Sequence, residues 1–198
     1  EAKSIGTPDR EQNIDIIDGS HTSAQRQLRL FGYAGFEPGT AATICALLDV
    51  VTRGEPRWGV GAAATSKPVV FFDVGANGGH YSFLSKGLFG DRIAVVAFEP
   101  TPDTARWLEA IDDVNRLGIK TERIALSNAT GEVTLYLSAK SDSSNSLNAA
   151  FKGAHRGTLQ VPCTTLDRYV AESGLVPSVL KIDTETHEES VLRGGEKL

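Results

Sequence analysis

Cysteine is scarce in this chain, and methionine is absent. The two cysteines, Cys45 and Cys163, stand far apart with no CxxC or Cys/His ligand spacing, so neither a disulfide framework nor a zinc site is expected. A surplus of positive charge is also missing: 20 basic against 25 acidic residues leave a formal charge of −5. Without a Lys/Arg-rich face, general binding to nucleic acid or to an anionic membrane is excluded. The longest apolar run, around Ala41 to Val51, is broken by Asp49 and falls short of the ~20 residues that cross a bilayer. The N-terminus begins Glu-Ala-Lys-Ser, with no basic n-region and no apolar h-region. These absences predict a cytoplasmic chain that is a fragment or a processed product.

What is present divides at about residue 68. Residues 1 to about 35 are polar and punctuated by glycine, and read as a loose lead-in with a helix near Ser23 to Leu30. Ile44, Leu47, Leu48 and Val51 lie on one face of a helix over residues 40–53, and the small-residue stretch Gly59 to Lys67 reads as a linker. From Val69 the texture changes. Val69 to Val74, Ile93 to Phe98, Lys120 to Leu126 and Val179 to Asp183 read as strands, the first two as unbroken apolar runs covered on both faces. Helices fit between them, one running to Phe89 and one starting at Pro102 behind a Thr101 cap, with Ala105, Leu108 and Ile111 turned inward. This alternation predicts an α/β, Rossmann-like, doubly wound and mainly parallel sheet over residues 69–198. An inserted hairpin interrupts it: Glu132 to Leu137 and Leu159 to Cys163 alternate as antiparallel strands around a Ser/Asn-rich loop, Ser138 to Asn148, which reads either as a mobile lid over a substrate or as a flexible hairpin tip.

The chemistry concentrates where Asp73 ends a buried strand and Gly75-Ala76-Asn77-Gly78-Gly79 turn into a helix that begins near His80, Tyr81 and Ser82. Gly75 and Gly79 permit close backbone approach, and ligands of open α/β sheets bind beyond the carboxyl ends of such strands. A dinucleotide loop reads G-x-G-x-x-G, whereas Asn77 occupies the place of its second glycine and Asp73 would repel a pyrophosphate. A sulfonium cofactor carries positive charge and no phosphate, so S-adenosylmethionine fits better. Glu99, at the end of the next strand, can take both ribose hydroxyls. The expected cofactor-binding residues are Asp73, Gly75, Asn77, Gly79, Tyr81 and Glu99, together with Ser127, which serves either as an adenine contact or as a turn-forming serine.

The motifs Phe72-Asp73-Val74-Gly75-Ala76-Asn77, Phe98-Glu99-Pro100, Ala125-Leu126-Ser127-Asn128, Thr165-Leu166-Asp167 and Lys181-Ile182-Asp183-Thr184-Glu185-Thr186-His187-Glu188 follow one another in an order that resembles the FkbM-family methyltransferases. The resemblance runs from about Phe71 to the end. It implies that the first two motifs bind S-adenosylmethionine, that Lys181-Ile182-Asp183 borders the methyl-transfer site, and that a small-molecule or glycan hydroxyl is the acceptor. It also implies a seven-stranded sheet, whose remaining strands would follow Leu198, so an exposed, association-prone edge strand is expected, a homo-oligomer included. The family pattern places glycine where this chain has Thr186. If that position needs a positive φ, threonine is strained there.

Methyl transfer to a hydroxyl needs alignment and removal of a proton. Lys181 and Asp183 share one side of their strand. Asp183 is the first candidate base and Lys181 its charge partner, the alternative being a purely structural ion pair. His187 is a further catalytic candidate or an exposed cap neighbour. Asp183, Glu185 and Glu188 could gather a magnesium ion, but no required metal is expected. A degenerate, non-catalytic cofactor-binding domain and an NAD(P)-dependent oxidoreductase stand as alternatives.

Overall fold

A computed structural model of the chain describes residues 3–7, 10–16, 36–54, 69–151 and 154–198. The unbroken apolar runs become β3 (Val69–Val74) and β4 (Ile93–Phe98), with β1 (Lys3–Thr7), β2 (Arg10–Ile16) and α1 (Pro38–Arg53) preceding them. α2 (His80–Phe89) and α3 (Pro102–Asn115) follow β3 and β4. Next come β5 (Lys120–Glu122), β6 (Ala125–Leu126), β7 (Gly131–Ser138), β8 (His155–Thr164), α4 (Leu166–Ser173), β9 (Val179–Ile182) and α5 (Glu188–Arg193).

The main sheet is parallel, in the order β5-β4-β3-β9. Side chains of a strand alternate between faces, and both faces are covered. Phe71, Val95 and Ala97 pack with Ile44 and Leu48 of α1, Phe83 of α2 and Leu108 of α3. On the other side Phe72, Val96 and Phe98 meet Leu166 and Tyr169 of α4 and Val191 of α5. Phe72, Phe98 and Tyr169 form edge-to-face pairs with centroids 5.2, 5.6 and 4.9 Å apart, an arrangement aromatic rings prefer. The fold is thus the doubly wound, Rossmann-like α/β class, and β9 is the edge strand on its side among the described residues.

Several expectations are corrected in detail. Lys120 to Leu126 is not one strand: β5 pairs with β4, whereas β6 pairs with β8. β4 stops at Phe98, opposite Glu122, so residues beyond have no partner in that sheet, and the chain bends to join the hairpin. The three-stranded sheet β6-β8-β7 has its own core of Ala125, Leu135, Val161 and Cys163. Leu47 is 49% exposed, so α1 buries Ala41, Ile44 and Leu48 instead. Thr101 precedes α3 without a side-chain cap, while Ala105, Leu108 and Ile111 are buried as expected. In the lead-in, β1 and β2 pair antiparallel where no strand is expected. The helix expected near Ser23 to Leu30 and the linker from Gly59 to Lys67 lie outside the described residues.

The last helix, α5, ends at Arg193, and at Gly194 the backbone closes on the end of β6. A Cβ at Gly194 would lie 2.1 Å from the Ser127 carbonyl oxygen, and the Gly194 carbonyl accepts from the Asp167 N–H at 2.9 Å. Gly194→Ala is therefore expected to lower stability by about 1–3 kcal/mol, the usual range for overpacking. Urea denaturation checks this, and an unchanged midpoint would contradict the packing described.

Candidate active site

β3 and β9 are neighbours, yet the helices that follow them cover opposite faces of the sheet. Their carboxyl ends therefore diverge and leave a crevice, the place where doubly wound folds bind ligands. A cavity of about 270 Å³ lies there. Its floor is Gly75, Asn77 and Tyr81, Glu99 and Thr101 form one side, and Lys181 and Asp183 form the other. Phe98, Ile124, Leu126 and Leu135 supply an apolar wall.

The glycine loop engages all of its own donors. The N–H groups of Gly75 and Ala76 both donate to the Phe98 carbonyl at 3.0 Å, and that of Gly79 donates to Ala76 at 2.9 Å. The Asn77 N–H donates to Glu99 Oε2 at 2.9 Å, and the Gly78 N–H to Asn77 Oδ1 at 2.6 Å. A pyrophosphate needs such N–H groups free. The physical basis for a dinucleotide is therefore missing at this loop. Gly75 is required for another reason, since its φ is 73° and an added Cβ would lie 2.0 Å from the Asp183 carbonyl oxygen. Glycine here lets β9 approach the loop.

Asp73 lies beneath the loop, fully buried, and does not line the cavity. The β3–β9 register places it opposite Lys181, whose Nζ is 3.0 Å from Asp73 Oδ1, while the Ser82 hydroxyl donates to Oδ2 at 2.7 Å. The ammonium also donates to the Gly75 and Val74 carbonyls at 2.9 and 3.3 Å, and it lies 5.3 Å from the centre of the Tyr81 ring. Lys181 thus pairs with Asp73 rather than with Asp183. Removing one partner of such a pair strands a buried charge at a cost of about 3–5 kcal/mol.

Glu99 is 6% exposed and lines the cavity. Its Oε1 accepts from the Thr101 N–H at 2.8 Å and its Oε2 from Asn77, which fixes the carboxylate while leaving a second lone pair on each oxygen. Burial pushes its carboxyl above the usual range, against the pull of these hydrogen bonds and of Lys181. Tyr81 donates its hydroxyl to Glu37, and burial together with that carboxylate raises its pKa.

Asp183 faces the cavity mouth. Partial desolvation raises its pKa most, Lys181 opposes this, and Glu37, Glu188 and Asp73 add to it. Glu188 turns away from Asp183: its Oε1 accepts from the Thr184 N–H at 2.7 Å and from the Thr184 hydroxyl at 3.2 Å. Asp183, Glu185 and Glu188, which spacing alone would allow to gather a magnesium ion, do not form such a group, and no group of three potential metal ligands occurs among the described residues. His187 and Ser127 do not line the cavity either. His187 Nε2 and Ser127 Oγ are 2.8 Å apart and tie the turn before α5 to the end of β6. Gly79, at φ 81°, packs against Phe83 and lies below the cavity.

Four further residues contribute, two of them, Phe36 and Glu37, without any sign in the sequence. Phe36 and Glu37 come from just before α1, and Asn145 and Ser146 come from the hairpin loop. That loop is anchored rather than free at its tip. Asn145 Nδ2 donates to Thr101 Oγ1 at 3.4 Å, Ser146 Oγ donates to the Glu185 carbonyl, and Asn148 Nδ2 donates to Thr186 Oγ1 at 3.0 Å. The loop so bridges the ends of β4 and β9. Its composition leaves open a lid over the acceptor or a flexible hairpin tip, and these hydrogen bonds place it at the site.

Glu185 and Thr186 occupy the left-handed region with φ of 53° and 74°. The Glu188 carboxylate accepts from several backbone N–H groups of this turn, which closes the chain around it. Threonine in that region costs roughly 1–3 kcal/mol. Thr186→Gly is accordingly expected to raise stability by about 1 kcal/mol, after allowance for the flexibility glycine adds to the unfolded chain. A lowered thermal midpoint would contradict the strain.

A curated protein of Haloferax volcanii named hexuronic acid methyltransferase AglP is 32% identical over 127 residues, which cover 63% of this chain and 49% of that protein. The chain therefore spans about half the length of that relative. No solved structure matches. The family model described as the methyltransferase FkbM domain matches residues 73–198, from the buried aspartate under the glycine loop to the last residue, and the chain belongs to that family.

Proposed function

We propose that the chain is an S-adenosylmethionine-dependent methyltransferase acting on a hydroxyl of a sugar, a glycan or a secondary metabolite. The observation that carries the reading is the complete internal pairing of the N–H groups from Gly75 to Gly79, beside a fixed, buried Glu99 carboxylate. A glycine loop whose N–H groups are engaged, set beside an acidic wall, suits a sulfonium cofactor better than a pyrophosphate. The apolar surface of Phe98, Ile124 and Leu126 suits a flat heterocycle. Among the described residues no helix is long and apolar enough to cross a membrane.

Bound there, S-adenosylmethionine would supply an electrophilic methyl group. Glu99 would accept hydrogen bonds from the two ribose hydroxyls. Gly75, Asn77 and Tyr81 would shape the floor beneath the amino-acid part. Asp183 would orient the acceptor hydroxyl and take its proton, a role helped by a carboxyl held above its ordinary range. Lys181, engaged with Asp73, acts as a positioning residue that holds the loop against β9. His187 is more distant from the cavity and serves the turn through Ser127.

Calorimetric titration tests the reading. Wild-type protein should bind S-adenosylmethionine and not a reduced nicotinamide dinucleotide. Glu99→Gln should weaken binding about ten- to a hundredfold, as expected for loss of hydrogen bonds to a charged acceptor. Binding of the dinucleotide, or full S-adenosylmethionine affinity in Glu99→Gln, would contradict it.

A further inference from the structure

Charge on the cavity wall is one-sided. Glu37, Glu99, Asp183 and Glu185 line it, and Lys181 is the sole Lys or Arg among the described lining residues. That ammonium is itself held at 3.0 Å by buried Asp73 and by two backbone carbonyls. His80, also on the wall, contributes no cation near neutral pH, because burial lowers its pKa to about 4. Partial burial is the main cause of the upward shift of Asp183 and Lys181 opposes it, while the smaller contributions of Glu37, Glu188 and Asp73 all act in the direction of an acidic surround. S-adenosylmethionine carries one net positive charge, which leaves the wall acidic even when Glu185 is set aside. Asn145 and Ser146 of the bridging loop also line the cavity, but their side chains are taken up in holding that loop to Ser138, Thr101, Glu185 and Asn148, so they add polar lining without adding a cation.

We propose that this cavity selects a neutral or amine-bearing sugar-like acceptor and discriminates against a carboxylate-bearing one. The inference rests on the methyltransferase reading above, which supplies the cofactor and the hydroxyl chemistry. A uronate entering the cavity would lose its hydration beside several carboxylates and find no free cation among the described residues. In this respect the chain departs from the relative whose name specifies a hexuronic acid.

The test separates the two readings. Binding of S-adenosylhomocysteine, measured first by calorimetry, reports on the cofactor site alone. On protein saturated with that product, methyl glucoside, glucosamine and glucuronate are then titrated by ligand-observed NMR. The neutral and amine-bearing sugars should bind at least about tenfold more tightly than glucuronate, and raising salt from about 50 mM to about 0.5 M should narrow the gap. Glu185→Lys should narrow it by about threefold or more at low salt. Glucuronate affinity equal to or above that of methyl glucoside, a salt-independent gap, or no binding of either uncharged or amine-bearing sugar would overturn the proposal. Failure of S-adenosylhomocysteine to bind would instead overturn the methyltransferase reading.

Discussion

At the wall of the cavity an ammonium meets a fully buried carboxylate. Asp73 and Lys181 face each other across the β3–β9 register, and neither can be left alone without a large desolvation cost. The pair is bound into the backbone on every side. Ser82 holds one carboxylate oxygen from α2, and the Lys181 ammonium reaches the carbonyls of Val74 and Gly75. Three elements are thereby fixed together: the end of β3, the first turn of α2 and the end of β9. The cavity is the space they enclose.

Geometry above the pair follows from this closure. Gly75 must lack a side chain because the Asp183 backbone packs against it. Once the loop is drawn onto β9, its N–H groups turn inward to Phe98, Ala76 and Glu99. The same turn that fixes Glu99 therefore removes the donors a phosphate would need. Across the mouth, the bridging loop of the hairpin ties Thr101 to Glu185 and Thr186, so the small second sheet is a structural part of the site. The strained Glu185-Thr186 turn lies where that tie is made, and Glu188 closes it from below.

The strands of the main sheet were legible because a strand buried on both faces must be apolar throughout, as Phe71, Phe72, Val95 and Val96 are. Asp73 and Glu99 were legible as acidic ends of such strands, but their roles were not equally so. Strand-end position does not tell a carboxylate beneath a loop from one lining the cavity; that depends on which neighbour the register brings opposite, and for Asp73 it is Lys181. The split between β5 and β6 was hidden because it depends on where β4 ends, a property of the partner strand. Glu37 carries no local signal, and for Asn145 and Ser146 the Ser/Asn-rich loop could be read as a lid or as a plain tip, since residues far from the motifs reach the site only through tertiary closure. Thr186 was legible as a departure from the pattern, and its positive φ shows what that departure costs.

If the buried pair organises the cofactor site, its two members must act as one unit on affinity, although only Lys181 reaches the cavity wall. A double-mutant cycle with Asp73→Asn, Lys181→Met and the combined variant, read by calorimetry with S-adenosylmethionine, measures this coupling. The account predicts that each single change weakens binding by about tenfold or more, and that the combined variant binds no worse than the weaker single variant. Strictly additive losses, or undiminished affinity in Asp73→Asn, would contradict it.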